Sequence, residues 1–195
     1  AFEDEIAGLK KAGFSIESLS WQEYPLCLPV HRIVGSVEAS SCAGRYDSVR
    51  YGKRAPGAKN WNEMYLQSRG AAFGTLLKSY LIQGAFFQFE RYDAYENACR
   101  IRARLVKDAE RLMSQAEMLI FPIRNPSAPD MPETLTGLYE QVAQTAPANV
   151  LGVPALYLPP TAADRPGLQL VGPKDADMRV LALGETLFRR RAGGK

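Results

Sequence analysis

Phe2, Ile6 and Leu9 fall on one helical face, with Glu3, Asp4, Glu5 and Lys10 around it, and Gly13 follows at the position that ends helices. Phe14, Ile16 and Leu19 lie among Ser15, Glu17 and Ser20, which reads as a short strand. A helix joined to a strand through a glycine is an α/β unit, whose helix is expected to cover one face of a sheet. Pro25 and Pro29 bracket a loop, and a helical pattern follows from Val30 to about Gly44. Residues 46–60 are rich in Gly, Lys and Arg and read as irregular. Asn62 is a candidate cap for a helix starting at Glu63; helical character then runs to about Phe89, with glycine breaks at Gly70, Gly74 and Gly84.

The strongest local pattern spans Tyr92 to Glu117. Tyr95, Ala98, Cys99, Arg102, Leu105, Val106, Ala109, Leu112, Met113 and Ala116 follow the helical spacing of about 3.6 residues, which predicts one long amphipathic helix. Met118 to Phe121, ended by Pro122, reads as a buried strand. A proline-rich loop, Asn125 to Pro132, precedes a short helix over Thr134 to Ala143. Val153 to Leu158 and Leu168 to Val171 read as two strands joined by a turn-rich connection. Asp175 or Asp177 is the candidate cap of a last helix carrying Met178, Leu181, Leu183 and Leu187, and residues 189–195 read as a disordered basic tail. No repeat or linker divides the chain, so residues 1–195 are expected to form one domain.

Composition changes this picture little. The 195 residues are 46% hydrophobic and 23% charged, with a formal net charge of +3 spread along the chain. These are ordinary globular values, and they do not by themselves indicate a nucleic-acid binder. No uninterrupted apolar run reaches the roughly 18 residues of a membrane span. Cys27, Cys42 and Cys99 are odd in number and widely spaced, which argues against a structural zinc site and for buried or half-buried thiols in a reducing, cytoplasmic setting. The chain opens on Ala1 and enters a helical pattern at once, so further polypeptide is expected upstream, with a processed terminus as the alternative.

Candidate chemistry is sparse. His31 is the one histidine, and a Ser-His-Asp or Cys-His arrangement would have to use it. No G-x-S-x-G elbow, P-loop or dinucleotide fingerprint is present. Asp4 with Glu5, and Asp175 with Asp177, sit at predicted helix starts, where capping and the helix dipole account for acidic residues. Ser40 and Ser41 lie inside a helical pattern rather than in the glycine-rich turn that aims oxyanion donors, so small residues at a close helix contact are the favoured reading. Arg45 to Lys59, with Tyr46, Tyr51 and Trp61 interleaved, could stack on RNA bases. A solvated loop with aromatics tucked beneath it is favoured, and direct nucleic-acid contact is not expected.

Glu38-Ala39-Ser40-Ser41, then Arg45-Tyr46-Asp47, then Val49-Arg50-Tyr51-Gly52 resembles a block of the amidase-signature family, in particular the A-subunits of the tRNA-dependent amidotransferases. The resemblance continues through Met64-Tyr65, Ser68-Arg69, Phe73-Gly74 and Tyr92 to Tyr95. It extends to Pro147-Ala148-Asn149, Gly152 to Ala155 and Gly167 to Gly172, and so covers nearly the whole chain. It implies the C-terminal portion of an α/β/α fold, a mixed sheet flanked by helices, that uses a Ser, a cis-Ser and a Lys to split an amide. All three lie upstream of the matched portion, so no catalytic residue is expected in this chain, and no cofactor or metal.

The same resemblance assigns substrate-pocket positions to His31, Tyr80, Gln141 and Val142. Tyr80 stands where the family's arginine would hold a glutamine carboxylate, and Gln141 or Val142 where an aspartate would hold its amino group. Both charged anchors are thus replaced, which points to a less charged amide or to a member that has lost catalysis. Glu38, Ser40, Ser41, Arg45, Asp47, Arg50 and Asn149 are read as structural members of the motif. The partners implied are the upstream half of the domain, the other components of an amidotransferase, and a small amide. The competing reading is a non-catalytic scaffold or binding module built on the same fold.

Overall fold

The computed structural model describes residues 2–123, 133–162 and 166–191. The first helix, α1 (Phe2–Lys11), buries Leu9. The segment after it does not form the expected strand. Phe14 to Leu19 joins no strand pair among the described residues, yet it still turns Phe14 and Ile16 into one apolar cluster and Leu19 into another.

A single 3-10 turn (Tyr24–Leu26) leads into α2 (Cys27–Ala43). Pro29 sits in the first turn of α2 rather than closing a loop, at a place where its missing N–H removes no intrahelical bond. Residues 44–60 are irregular. The next helix, α3 (Trp61–Ala72), starts earlier than expected because Asn60, not Asn62, caps it: Asn60 Oδ1 accepts from the Glu63 N–H at 2.9 Å. Glu63 in turn accepts from the Lys59 N–H at 2.7 Å. Only Gly74 breaks the helical run that follows; α4 (Thr75–Phe89) starts after it and passes through Gly84.

Gly84 allows α4 to approach α2 closely, since a methyl group there would lie 1.9 Å from the Ser36 carbonyl oxygen. The long helix α5 (Tyr92–Met113) packs across the other side of α2, and Leu105, Ala98 and Ala109 join Cys27, Val30 and Val34 in the helical core.

The strand β1 (Leu119–Pro122) is followed by two short helices, α6 (Leu135–Val142), capped by Thr134, and α7 (Ala146–Leu151), which the sequence did not suggest. The expected loop over Asn125 to Pro132 lies outside the described residues. Strands β2 (Ala155–Leu158) and β3 (Leu168–Val171) complete a three-stranded sheet in the order β1-β3-β2. Leu119 pairs with Val171, and Ala155 pairs with the same Val171 from the other side. The pairing is antiparallel throughout; no parallel pair of a mixed sheet occurs among the described residues.

β3 is buried along its whole length, and α8 (Asp177–Arg191) covers the sheet with Val180 and Leu187. Asp177 opens α8 while Asp175, with φ of 62°, precedes it, and Arg189 to Arg191 continue the helix. The described chain is therefore mostly helical, with a small antiparallel sheet at one end.

Candidate functional site

Two of the sequence-predicted pocket residues meet where α2 crosses α4. Tyr80 comes from α4 and His31 from α2. Gly35, one turn along α2 from His31, makes room for the phenol: a methyl group there would lie 2.6 Å from Tyr80 Oη and 3.9 Å from His31 Cε1. The helix α6, which carries Gln141 and Val142, adds Tyr139 to the same cluster. The Tyr80 and Tyr139 ring centroids are 6.3 Å apart. Gln83 Nε2, one turn along α4 from Tyr80, donates to Tyr139 Oη at 2.9 Å and to the Arg32 carbonyl oxygen at 3.2 Å. The Arg32 guanidinium lies over the Tyr139 ring, 4.2 Å from its centroid.

Burial sets the protonation states of this cluster. It pushes the Tyr80 phenol up to about 12, helped by Tyr139 and by the negative charge of Glu38, so Tyr80 is a neutral hydrogen-bond donor near pH 7. It holds His31 below its usual range, so the imidazole is neutral. His31 Nδ1 is buried and has no hydrogen-bond partner. The cluster thus offers a phenol, a neutral imidazole and a guanidinium: groups that can hold and orient a polar ligand. Gln141 and Val142 are half-buried on the same short helix as Tyr139. Arg32, Gln83 and Tyr139 escaped sequence reasoning, although Arg32 is adjacent to His31 and Gln83 lies three residues beyond Tyr80 on one helical face.

The motif residues of the first block build a different feature. Glu38 is exposed on α2, Ser40 packs against Gly84 of α4, and Ser41 faces outward. Past the end of α2, Asp47 accepts from the Val49 and Arg50 N–H groups at 3.0 and 2.9 Å and from Arg50 Nε at 2.8 Å. Those donors hold its carboxyl well below the usual carboxylate range. Arg69 of α3 ties the turn down. Its Nη1 donates to the Ala43 and Tyr46 carbonyl oxygens, and its guanidinium lies 4.9 Å from both the Tyr65 and Phe73 ring centroids. Ser68 Oγ accepts from the Ala55 N–H at 2.9 Å. Tyr46 is tucked against Phe73, whereas Tyr51 and Trp61 are more than half exposed.

An apolar groove of about 430 Å³ runs beside this turn, lined by Cys42, Arg45, Tyr46, Phe73, Leu77 and their neighbours. A second cavity of about 220 Å³ lies between α5, Leu151, Val153 and Lys174. Neither includes His31, Tyr80, Gln141 or Val142. Asn149 is exposed on α7 and donates to the Thr145 carbonyl oxygen at 3.1 Å. Among the cysteines Cys27 is buried, with its thiol pushed up to about 12, Cys99 is half-buried and Cys42 is exposed, so the expectation of buried thiols does not extend to Cys42. The described residues contain no group of three or more His, Cys, Asp or Glu side chains able to hold a metal ion. None of their helices is long and apolar enough to cross a membrane.

The arrangement of helices on a small sheet is similar to part of a solved crystal structure of an amidase, with a TM-score of 0.70. That likeness covers 97% of this chain and 41% of the other, at 21% identity, and concerns the fold alone. The amidase family profile matches residues 1–181, and the chain belongs to that family. Among its curated relatives, the glutamyl-tRNA(Gln) amidotransferase A-subunit of Symbiobacterium thermophilum is 32% identical over 188 residues, covering 93% of this chain and 38% of the relative. The protein of the same name from a Picosynechococcus species is 34% identical over 181 residues, covering 88% and 37%. The chain therefore spans under two-fifths of the length of these relatives.

Proposed function

We propose that this chain forms the part of an amidase domain that walls the amide-substrate pocket, while the nucleophilic serine, the cis-serine and the lysine are supplied by upstream polypeptide. One observation carries the reading. His31 and Tyr80, assigned to the pocket by resemblance from separate stretches of sequence, meet in one polar cluster, and the helix bearing Gln141 and Val142 contributes Tyr139 to it. In this reading Tyr80 Oη donates to the bound ligand, and the neutral imidazole of His31 lies beside it. The three strands form one end of a larger mixed sheet flanked by helices. The substrate is a small amide, and the reaction is hydrolysis of its carbon–nitrogen bond.

The test is ammonia release from a panel of small amides by the natural full-length protein and by the 195-residue chain. The full-length protein is expected to be active and the chain alone inactive. His31→Ala and Tyr80→Phe in the full-length protein are expected to raise KM. Amide hydrolysis by the chain alone, dependent on His31, would overturn the reading. An inactive full-length protein would favour the scaffold reading, which the replacement of both charged anchors also supports.

A further inference from the structure

The cavity of about 220 Å³ lies at the seam between the helical core and the sheet. Its floor is apolar: Val106, Ala109 and Met113 of α5 meet Leu151 at the end of α7 and Val153 beyond it. Val106, Ala109, Glu110, Met113 and Ser114 follow the i, i+3, i+4, i+7, i+8 spacing of one helical face. One stripe of α5 therefore supplies both the apolar floor and the acid at its edge.

The edge is charged with both signs. Glu110 comes from α5 and Lys174 from the turn between β3 and α8; both are exposed and both line the cavity. Neither side chain forms an ion pair or hydrogen bond among the described residues, so the two opposite charges stand further apart than an ion pair. Ser114 Oγ, one turn along α5 from Glu110, donates to the Arg111 carbonyl oxygen at 2.7 Å and keeps its lone pairs for accepting. The α5 edge thus presents acceptors, and Lys174 presents donors only.

We propose that this cavity binds a free α-amino acid with an apolar side chain. The ammonium group is held by Glu110 and Ser114, the carboxylate by Lys174, and the side chain enters the floor between Val106, Met113 and Val153. A zwitterion is the small molecule that satisfies both unpaired charges at once, and a ligand with one charge leaves the other without a partner. The volume falls below the roughly 300–1,000 Å³ of pockets that take drug-sized ligands, which suits a side chain of the size of leucine or methionine.

The experiment uses the natural full-length protein and four probes read by ligand-detected NMR titration. The probes are L-leucine, isocaproate, which lacks the ammonium group, isoamylamine, which lacks the carboxylate, and glycine, which lacks the side chain. Leucine is expected to bind and to raise the melting temperature by linkage. Each of the other three is expected to bind at least roughly threefold more weakly, the scale of one partly solvated charge contact or one buried side chain. Lys174→Gln is expected to weaken leucine by the same factor and leave isoamylamine unchanged. Glu110→Gln is expected to weaken leucine and leave isocaproate unchanged. Both variants should keep the melting temperature of the ligand-free protein, because neither residue has a partner to lose among the described residues.

Failure of leucine to bind at millimolar concentration overturns the proposal. So does leucine binding that neither substitution weakens, which places the ligand elsewhere, and so does isocaproate or isoamylamine binding as tightly as leucine. Each of these results leaves the pocket-wall reading of His31 and Tyr80 standing, since neither residue lines this cavity.

Discussion

Arg191 in the last turn of α8 donates through Nη2 to Oε2 of Glu5 in α1, joining residues 186 positions apart in a pair whose side chains are 6% and 0% exposed. The other carboxylate oxygen, Oε1, accepts from Thr161 Oγ1 at 2.6 Å and from the Thr161 N–H at 3.1 Å. Burial alone would raise the Glu5 carboxyl. The Thr161 donors and the Arg191 charge outweigh it and hold the group below its usual range. Ends of the chain that share no sequence pattern are therefore coupled through one carboxylate.

Removing one member of that pair strands the other charge. Glu5→Gln is expected to destabilise the fold by about 3–5 kcal/mol, whereas the double change Glu5→Leu with Arg191→Met should cost much less, since it removes both charges and fills the space with apolar atoms. Urea unfolding of the three proteins measures this. A double variant no more stable than Glu5→Gln would mean that the carboxylate acts through Thr161 rather than through the ion pair.

His31 imposes a pH dependence with a definite sign. Its folded pKa lies below the unfolded value of about 6.5, so the unfolded chain binds the proton more readily. Its contribution to stability is therefore intact above that pH and falls as pH drops through the unfolded and then the folded value. The carboxylates held below their usual range, Glu5 among them, lose stability in the same direction but at lower pH. Unfolding free energies at pH 7.5 and 5.5, for the natural sequence and for His31→Gln, isolate the effect: the drop between the two pH values should shrink in the variant. An unchanged drop would mean that the imidazole is charged in the folded state.

Ile82, Phe86 and Phe89 are 70%, 49% and 75% exposed along one face of α4, and β1 and β2 are the edges of the sheet among the described residues. Exposed apolar surface and bare strand edges promote association. The isolated 195-residue chain is expected to self-associate with rising concentration in sedimentation velocity, and Ile82→Glu with Phe89→Glu should shift it towards monomer. A clean monomer at high concentration would count against both the exposed helix face and the open sheet.

Elements with a long or sharply bounded signature are legible in the sequence. The pattern from Tyr92 places α5, because 22 residues of helix repeat their buried face often enough to exclude other periods. The bounds of β3, Leu168 to Val171, follow from the sequence alone, since Leu168, Leu170 and Val171 are bounded by Gly167 and by Gly172 with Pro173. Shorter signals mislead for identifiable reasons. Phe14 to Leu19 shows strand-like burial but joins no strand pair among the described residues, and α7 is only six residues long and holds a proline, too short to show a period. Gly84 reads as a helix breaker, yet it sits inside α4 because a close approach to Ser36 is possible only without a side chain.

By itself, the order of side chains determined where helices can form, which faces they bury, and the family to which the chain belongs. All three depend on local periodicity or on motifs that are contiguous in the chain. The meeting of His31, Arg32, Tyr80 and Tyr139, and the burial of Glu5 against Arg191, were decided only by tertiary structure. These contacts join residues from 49 to 186 positions apart. Such pairs form only when the packing of whole helices, directed by glycines at the crossing and by the apolar core beneath it, brings the backbones close enough for the polar groups to find each other.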